Sequence, residues 1–397
     1  MNNLSQRVNQ LEESATIAMA RLSRELQEQG HDIISLSLGE PDFTTPDDIC
    51  EAAREAIAEG FTHYPPISGF PDLRKAIAQK FKRENNLEYT SDQIVVSTGA
   101  KQSIANVVLS VIDPGDEVII PAPYWVSYAQ IIQLAGGVPV FIPTTVDTDF
   151  KPTTKQIQDK ITAKTKLFIF SSPCNPTGTM YTKEELKAIA ETLHPHSKIW
   201  ILSDEIYEHI HFEAKHESIA QFDFIKERVI IVNGVSKGQA MTGWRIGFIA
   251  ACKEISKACD KVQGQFTSGA NSIAQKAAVK AVSTEWSNYD FMRVSFLRRR
   301  DLVLGLMKDI PGWKFNKPMG AFYVFPDVTY FFGKSDGQTT IHNATDLCMY
   351  LLKDAKVSMV TGEAFGDLNC VRLSFATSDE LLIEAMRRIK LSFAKLK

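Results

Sequence analysis

The sequence predicts an α/β protein: a large domain with a mostly parallel sheet flanked by helices, followed by a smaller α+β domain. Three observations lead there. Short apolar runs alternate with stretches of helical periodicity, as strands and crossover helices of a parallel sheet do. At 397 residues and roughly 150 residues per domain, the chain has room for two or three domains. From about residue 283 onward the pattern changes to a long charged helix, short strands and a terminal helix.

The elements follow in order. The polar segment 1–30 is helical in pattern and has no apolar signal core. Candidate strands lie at 93–97, 117–121, 138–142, 166–171, 198–203, 229–233 and 247–250. Helical stretches between them include 101–112 and 183–194. The second opens on Thr182 with Glu185 three residues on, the spacing of a capping box. In the smaller domain a helix over 291–308 carries Arg298, Arg299 and Arg300, strands fall around 320–325 and 369–375, and a final helix spans about 379–396. The expected division is an N-terminal segment (1–45), a large domain (46–283) and a small domain (284–397), with the turn at 42–46 able to pack with either domain.

Composition excludes several classes of function. With 44 basic and 47 acidic side chains the net charge is −3, without the basic face of a nucleic-acid binder or the charge excess of a disordered chain. No apolar run approaches the ~18 residues of a membrane helix. The cysteines (50, 174, 252, 259, 348 and 370) are scattered, with no CxxC pair. They are expected to be reduced thiols in a cytoplasmic protein.

In open α/β sheets, ligands bind outside the carboxyl ends of the strands. The runs are followed there by Gly99-Ala100-Lys101, by Trp125, by Asn175, by Asp204 and Tyr207, and by Ser236 and Lys237 with Arg245 eight residues beyond. Taken singly, these are ordinary turn, cap or surface residues. Collected on one rim they suit an anionic, planar, heteroaromatic ligand. Amides at a helix start take a phosphate, Arg245 adds charge-assisted hydrogen bonds, and Trp125 offers a flat face. Asp204 suits a protonated ring nitrogen, and Lys237 a nucleophilic amine.

Ser236-Lys237 followed by Met241-Thr242-Gly243-Trp244-Arg245-Ile246-Gly247 resembles the lysine signature of class I aminotransferases, fold-type I enzymes dependent on pyridoxal 5′-phosphate. Residues 172–178 (Ser-Pro-Cys-Asn-Pro-Thr-Gly), 203–207 (Ser-Asp-Glu-Ile-Tyr) and 372–374 (Arg-Leu-Ser) are similar to the family's other blocks, in the same order. The stretches 39–43, 64–66 and 99–102 resemble the bacterial-type aspartate aminotransferase branch.

The resemblance implies roles. Lys237 matches the lysine that carries the cofactor and moves protons, Asp204 the partner of the pyridine nitrogen, and Asn175 and Tyr207 the pair on the ring 3-oxygen. Trp125 matches the stacking residue. Ser236, Arg245 and the Gly99, Ala100 and Lys101 turn match the phosphate cup. Tyr64 matches a tyrosine that reaches the neighbouring subunit's cofactor phosphate, so a homodimer with shared sites is implied, the N-terminal segment packing on the small domain and the partner. Arg372, helped by the Gly39 backbone and flanked by Trp125 and Asn175, matches the grip on the substrate α-carboxylate. Lys101, with Ser14 and Thr16, is the candidate for a second carboxylate.

The implied reaction moves an amino group from aspartate or glutamate to 2-oxoglutarate or oxaloacetate by a ping-pong course. Alternatives on the same fold are an aromatic, alanine or prephenate aminotransferase, or a carbon–sulfur lyase. Two departures stand out: Gly238-Gln239, where relatives often carry an alanine and an aromatic, and Cys174, where an asparagine is common. A ligand-sensing transcription regulator would need an appended DNA-binding region, which is not expected here. No GxG occurs, against a dinucleotide site. His194, His196, His209, His211 and His216 fit no recognised ligand spacing, so no metal is expected.

Overall fold

The computed structural model describes residues 4–11, 13 and 15–397. Strand β1 (Ile34–Ser35) is followed by β2 (Ile94–Thr98), β3 (Glu117–Ala122), β4 (Val138–Pro143), β5 (Thr165–Ser171), β6 (Trp200–Asp204), β7 (Val229–Gly234) and β8 (Ile246–Ala250). β9 (Tyr323–Val324), β10 (Val357–Ser358), β11 (Val360–Thr361) and β12 (Val371–Ser374) complete the set.

β2 to β8 form one sheet in the order β2-β8-β7-β6-β5-β3-β4. All pairs are parallel except the two made by β8, which runs against both β2 and β7. The central strands are near-continuous runs of Val, Ile, Leu and Phe because helices cover both faces: Val118, Ile119 and Ile120 in β3 and Val229 to Val232 in β7 are fully buried. Two apolar layers result. One, with Ile104, Val107, Val108, Ile132 and Cys259, lies under the helices on one face. The other is larger and runs on into the C-terminal part of the chain.

The expected strands of the large sheet and the helices form with shifts of one to three residues, the largest at the end of the last helix, which stops at Phe393. The helix Lys183–Leu193 is closed at its start by the Thr182/Glu185 capping box, Glu185 N donating to Thr182 Oγ1 at 3.2 Å and Thr182 N to Glu185 Oε2 at 2.8 Å. The expected strand at 320–325 shortens to two residues and that at 369–375 to four. They pair with each other, and β12 also pairs with β11, in a three-stranded antiparallel sheet of order β11-β12-β9. Around it lie the helices Asp290–Lys308, Ala344–Asp354 and Asp379–Phe393. β1 pairs in parallel with β10, which ties the N-terminal part of the chain to this C-terminal assembly.

The 42–46 turn touches both parts. Arg299 grips Asp42 with two hydrogen bonds, at 2.7 and 2.9 Å, and Phe43 packs edge-on against Phe291 and Phe296. Thr45 faces the other way. Its hydroxyl donates to the Ala240 carbonyl at 2.8 Å and accepts from Trp244 Nε1 at 2.9 Å.

Among the described residues no helix is long and apolar enough to cross a membrane.

Candidate active site

Five parallel strands end on one rim, and their following residues converge there. Reversed β8 begins on that same rim, so Arg245, the residue before it, arrives beside the others. A cavity of about 440 Å³ opens at this place. Its walls include Ala100, Lys101, Trp125, Asn175, Asp204, Tyr207, Ser236, Lys237, Arg245, Arg372, Gly39 and Thr16. Gly99 stands just behind Arg245. Tyr64 is not on this wall: it is 92% exposed on the outside of the chain. Ser14 lies outside the described residues.

Backbone geometry builds the cup at Gly99. This residue precedes the helix Ala100–Val111 with φ +81°, a conformation that glycine adopts without strain. A Cβ there would lie 2.4 Å from Arg245 Nη2, and a Cβ on Gly247 would lie 2.2 Å from the Ala100 nitrogen. Arg245 itself has φ +58°, uncommon for a residue with a side chain. Its Nη1 donates to the Thr242 carbonyl at 2.9 Å. The first helical amides and this guanidinium therefore face one space.

Lys237 is half-buried and its ammonium donates to the Gly39 carbonyl. Burial brings the amine down to about 8, with Arg372 and Arg245 pushing the same way and Glu40 and Asp204 opposing. Asp204 ends β6, 5% exposed. Burial pushes its carboxyl up to about 6, against the pull of the Tyr128 hydroxyl and the Ile206 amide. Those donors lie at 2.7 and 3.2 Å.

Arg372, 2% exposed, projects from β12. Its Nη1 donates to Asn175 Oδ1 at 3.0 Å and its Nη2 to the Ser37 carbonyl at 2.7 Å. Its guanidinium lies 4.5 Å from the centre of the Tyr323 ring, and its Nε is buried without a partner. Tyr207 and Tyr323 share a hydroxyl–hydroxyl hydrogen bond of 2.7 Å. At the mouth, the Lys101 ammonium lies 5.1 Å from the Trp125 ring centre. Partial burial and nearby Arg245 lower its pKa.

The wall thus carries five cations, Arg24, Lys101, Lys237, Arg245 and Arg372, against the carboxylates of Glu40 and Asp204. Among the described residues none of the five comes within 4.0 Å of a carboxylate oxygen. Such a surplus fits a ligand with several negative charges. Asp204 is a buried acid that lacks a cation, which a protonated ring nitrogen supplies. Gly99 leaves room against Arg245 for a group that binds amides and a guanidinium together, as a phosphate does. The residues present therefore fit a phosphorylated pyridine.

Sequence reasoning missed Tyr128, Tyr323, Glu40 and Arg24. Tyr128 has a faint signal, lying one helical turn after Trp125. Arg24 lies on the same helical face as Thr16 and Ala20. Tyr323 has none, since its place depends on how β9 meets β12. The departures at 238 and 239 have a local cause. A Cβ on Gly238 would lie 2.8 Å from His209 Nδ1, and Gln239 is buried beside it. Cys174 is partly exposed, its thiol pushed up by burial.

A family profile described as aminotransferase class I and II matches residues 31–389. The chain is 46% identical over 400 residues to a bifunctional aspartate aminotransferase and glutamate/aspartate-prephenate aminotransferase of Petunia hybrida, covering 100% of this chain and 84% of that protein. It is 44% identical to an aspartate/prephenate aminotransferase of Cereibacter sphaeroides, covering 98% of each. Among solved structures, the aspartate aminotransferase of Rhizobium meliloti superposes with a TM-score of 0.96 at 39% identity over 100% of both chains. That of Thermus thermophilus with maleate gives 0.93 at 40% identity over 99% of this chain and 100% of the other.

Proposed function

The chain belongs to the class I and II aminotransferases, enzymes that work with pyridoxal 5′-phosphate, and from that premise we propose that it moves the amino group of aspartate or glutamate to 2-oxoglutarate or oxaloacetate. The observation that carries this reading is the set of five cations on the wall, the half-buried Lys237 amine among them, gathered around one buried acid. A dianionic cofactor and a dicarboxylic substrate account for that surplus better than a monocarboxylate does.

When bound, pyridoxal 5′-phosphate supplies an electron sink for the electrons left at the substrate Cα. The chain does the rest. Ala100 and Lys101 amides, Ser236 and Arg245 would hold the phosphate, and Trp125 would cover the ring. Asp204, ionised, would keep the ring nitrogen protonated. Asn175 and Tyr207 would hold the ring 3-oxygen. Arg372 would take the α-carboxylate through its planar fork, and its unpartnered Nε has a donor to spare. Asn175, already bonded to Arg372, would hold both ligands in register. Lys237 would carry the cofactor. Its amine would take the proton from the substrate Cα as a general base and return it as a general acid. An amine brought down to about 8 does both near neutral pH.

Lys101 and Thr16, both on the cavity wall, would take the second carboxylate. Tyr64, exposed and away from its own cavity, is read as serving a partner's phosphate, which makes the working unit a homodimer. All six cysteines are free, in keeping with the reducing cytoplasm. The domain division at 45/46 and 283/284 is part of the same reading, supported by the β1–β10 pairing.

Prephenate, also a dicarboxylate, is a second reading. It is favoured by the Cereibacter sphaeroides relative named aspartate/prephenate aminotransferase.

The test is spectroscopic. The purified protein is expected to show a visible band that changes on adding aspartate and reverts with 2-oxoglutarate. A donor panel in which aspartate and glutamate are no better than alanine or phenylalanine overturns the substrate class. Prephenate offered as acceptor decides between the two readings.

A further inference from the structure

Behind the cavity wall lies a buried polar network that the chemistry above does not use. Lys80 and Glu208 have side chains only 3% and 4% exposed and form an ion pair. Asn85 bridges them: its Oδ1 accepts from Lys80 Nζ at 3.0 Å and its Nδ2 donates to Glu208 Oε2 at 3.0 Å. From the other side Asn233 Nδ2 donates to Glu208 Oε1 at 2.7 Å, while Asn233 Oδ1 accepts from the Gly234 amide at 2.7 Å. The Glu84 carboxylate lies 3.5 Å from Lys80 Nζ and 2.8 Å from His209 Nε2.

The network sits where backbone pairing gives out. β6 and β7 are registered up to Asp204 and Val232, and the Glu205 amide adds one more bond to the Val232 carbonyl at 2.8 Å. Beyond that point the two chains diverge into the segments that carry Tyr207 and Lys237. Glu208 follows Tyr207 directly, and Asn233 stands four residues before Lys237. A second tie runs alongside. His209, stacked on Trp286 with ring centres 4.1 Å apart, leans on Gly238, the residue after Lys237.

Stability alone is a poor reason for such an arrangement. Buried ion pairs are often replaceable by apolar side chains at no loss of stability. What apolar groups do not supply is a directional bond between two chains at one fixed spacing. We propose that Glu208 is a positioning residue, whose carboxylate, neutralised by Lys80, locks the Tyr207 turn to the Asn233–Lys237 segment and fixes the Tyr207 phenol relative to the Lys237 amine.

The inference rests on the roles given above to Tyr207 and Lys237, so its test separates the two. Asn233→Ala cuts the tie and leaves the Lys80–Glu208 pair whole. Glu208→Gln keeps the shape and removes the charge. In the full-length cofactor-free protein, acylation of Lys237 is followed against pH by peptide mapping. In the loaded enzyme, kcat and KM for aspartate are measured.

The wild-type amine is expected to titrate near 8, as its burial dictates. In Asn233→Ala the midpoint is expected to rise, because a loosened segment lets the amine reach water. kcat is expected to fall about tenfold or more, the cost of misplacing a reacting group, with KM within about twofold, as for an interaction made in the transition state. If both variants lower only the melting temperature and leave the midpoint and kcat unchanged, the proposal is wrong. Should Glu208→Gln fail to fold, Asn233→Ala decides alone. A wild-type protein without aminotransfer activity defeats the functional reading instead, while the acylation midpoint still judges the tie.

Discussion

Asp204 and Arg372 show how single side chains carry this site at a cost to the empty protein. In the cofactor-free chain Asp204 titrates near 6, above the ordinary carboxylate value of about 4. Between those values the folded chain keeps a proton that the unfolded chain releases, so stability falls as pH rises through this window. Denaturant titrations of the cofactor-free protein at several pH values are expected to show this slope, and Asp204→Asn to remove it. Tyr128→Phe deletes a bond that pulls Asp204 down, so the upper edge of the window is expected to move above 6. Arg372 is read by its fork. Arg372→Lys loses charge-assisted hydrogen bonds worth about 1.5–3 kcal/mol, roughly ten- to a hundredfold in affinity. KM is expected to rise for every amino acid, and a rise confined to aspartate and glutamate would show that Arg372 reads the side chain instead. Asp204, Lys237 and Arg245 were legible in the sequence because each stands beside a strand end, where ligands gather. Tyr323 and Glu40 were not, since contacts between distant segments bring them in.

At the scale of elements, the strands were legible because burial on both faces writes continuous apolar runs. Their polarity was not: nothing in residues 246–250 says that β8 runs backward between β7 and β2. The short strands β9 and β12 were overestimated because the apolar pattern runs past the ladder: Phe322, Phe325 and Phe375 are buried, yet beyond the strand ends only a single backbone bond, Phe375 N to the Phe322 carbonyl at 2.9 Å, joins Phe322 and Phe375. The helix Ala100–Val111 depends on its first joint. Gly99→Ala imposes about 1–3 kcal/mol of backbone strain at a positive φ with extended ψ, a region that essentially only glycine enters, and drives a methyl into the Arg245 guanidinium. Weaker cofactor binding is expected, with the melting temperature of the cofactor-free protein lowered less than the affinity; unchanged cofactor affinity would remove Arg245 and this turn from the phosphate cup.

For the whole molecule, the expectation is a dimer with sites built from both subunits. Tyr64 and Phe266 are 92% and 69% exposed in the single chain, surface that such a partner would cover. Mixing Tyr64→Ala with Lys237→Ala subunits tests this. If Tyr64 serves the partner, each mixed dimer regains one intact site, about a quarter of all sites for random two-fold pairing. No recovery in mixed dimers places Tyr64 outside the partner's site. The reversal of β8 has a consequence for how the chain tolerates change in length. Lys237 and Arg245 leave and re-enter the same rim within eight residues, so the stretch between them works as a ruler, graduated in peptide units, for the gap between that amine and that guanidinium. Inserting or deleting even one residue there alters that gauge, whereas a change beyond the far edge strand β4 leaves it untouched.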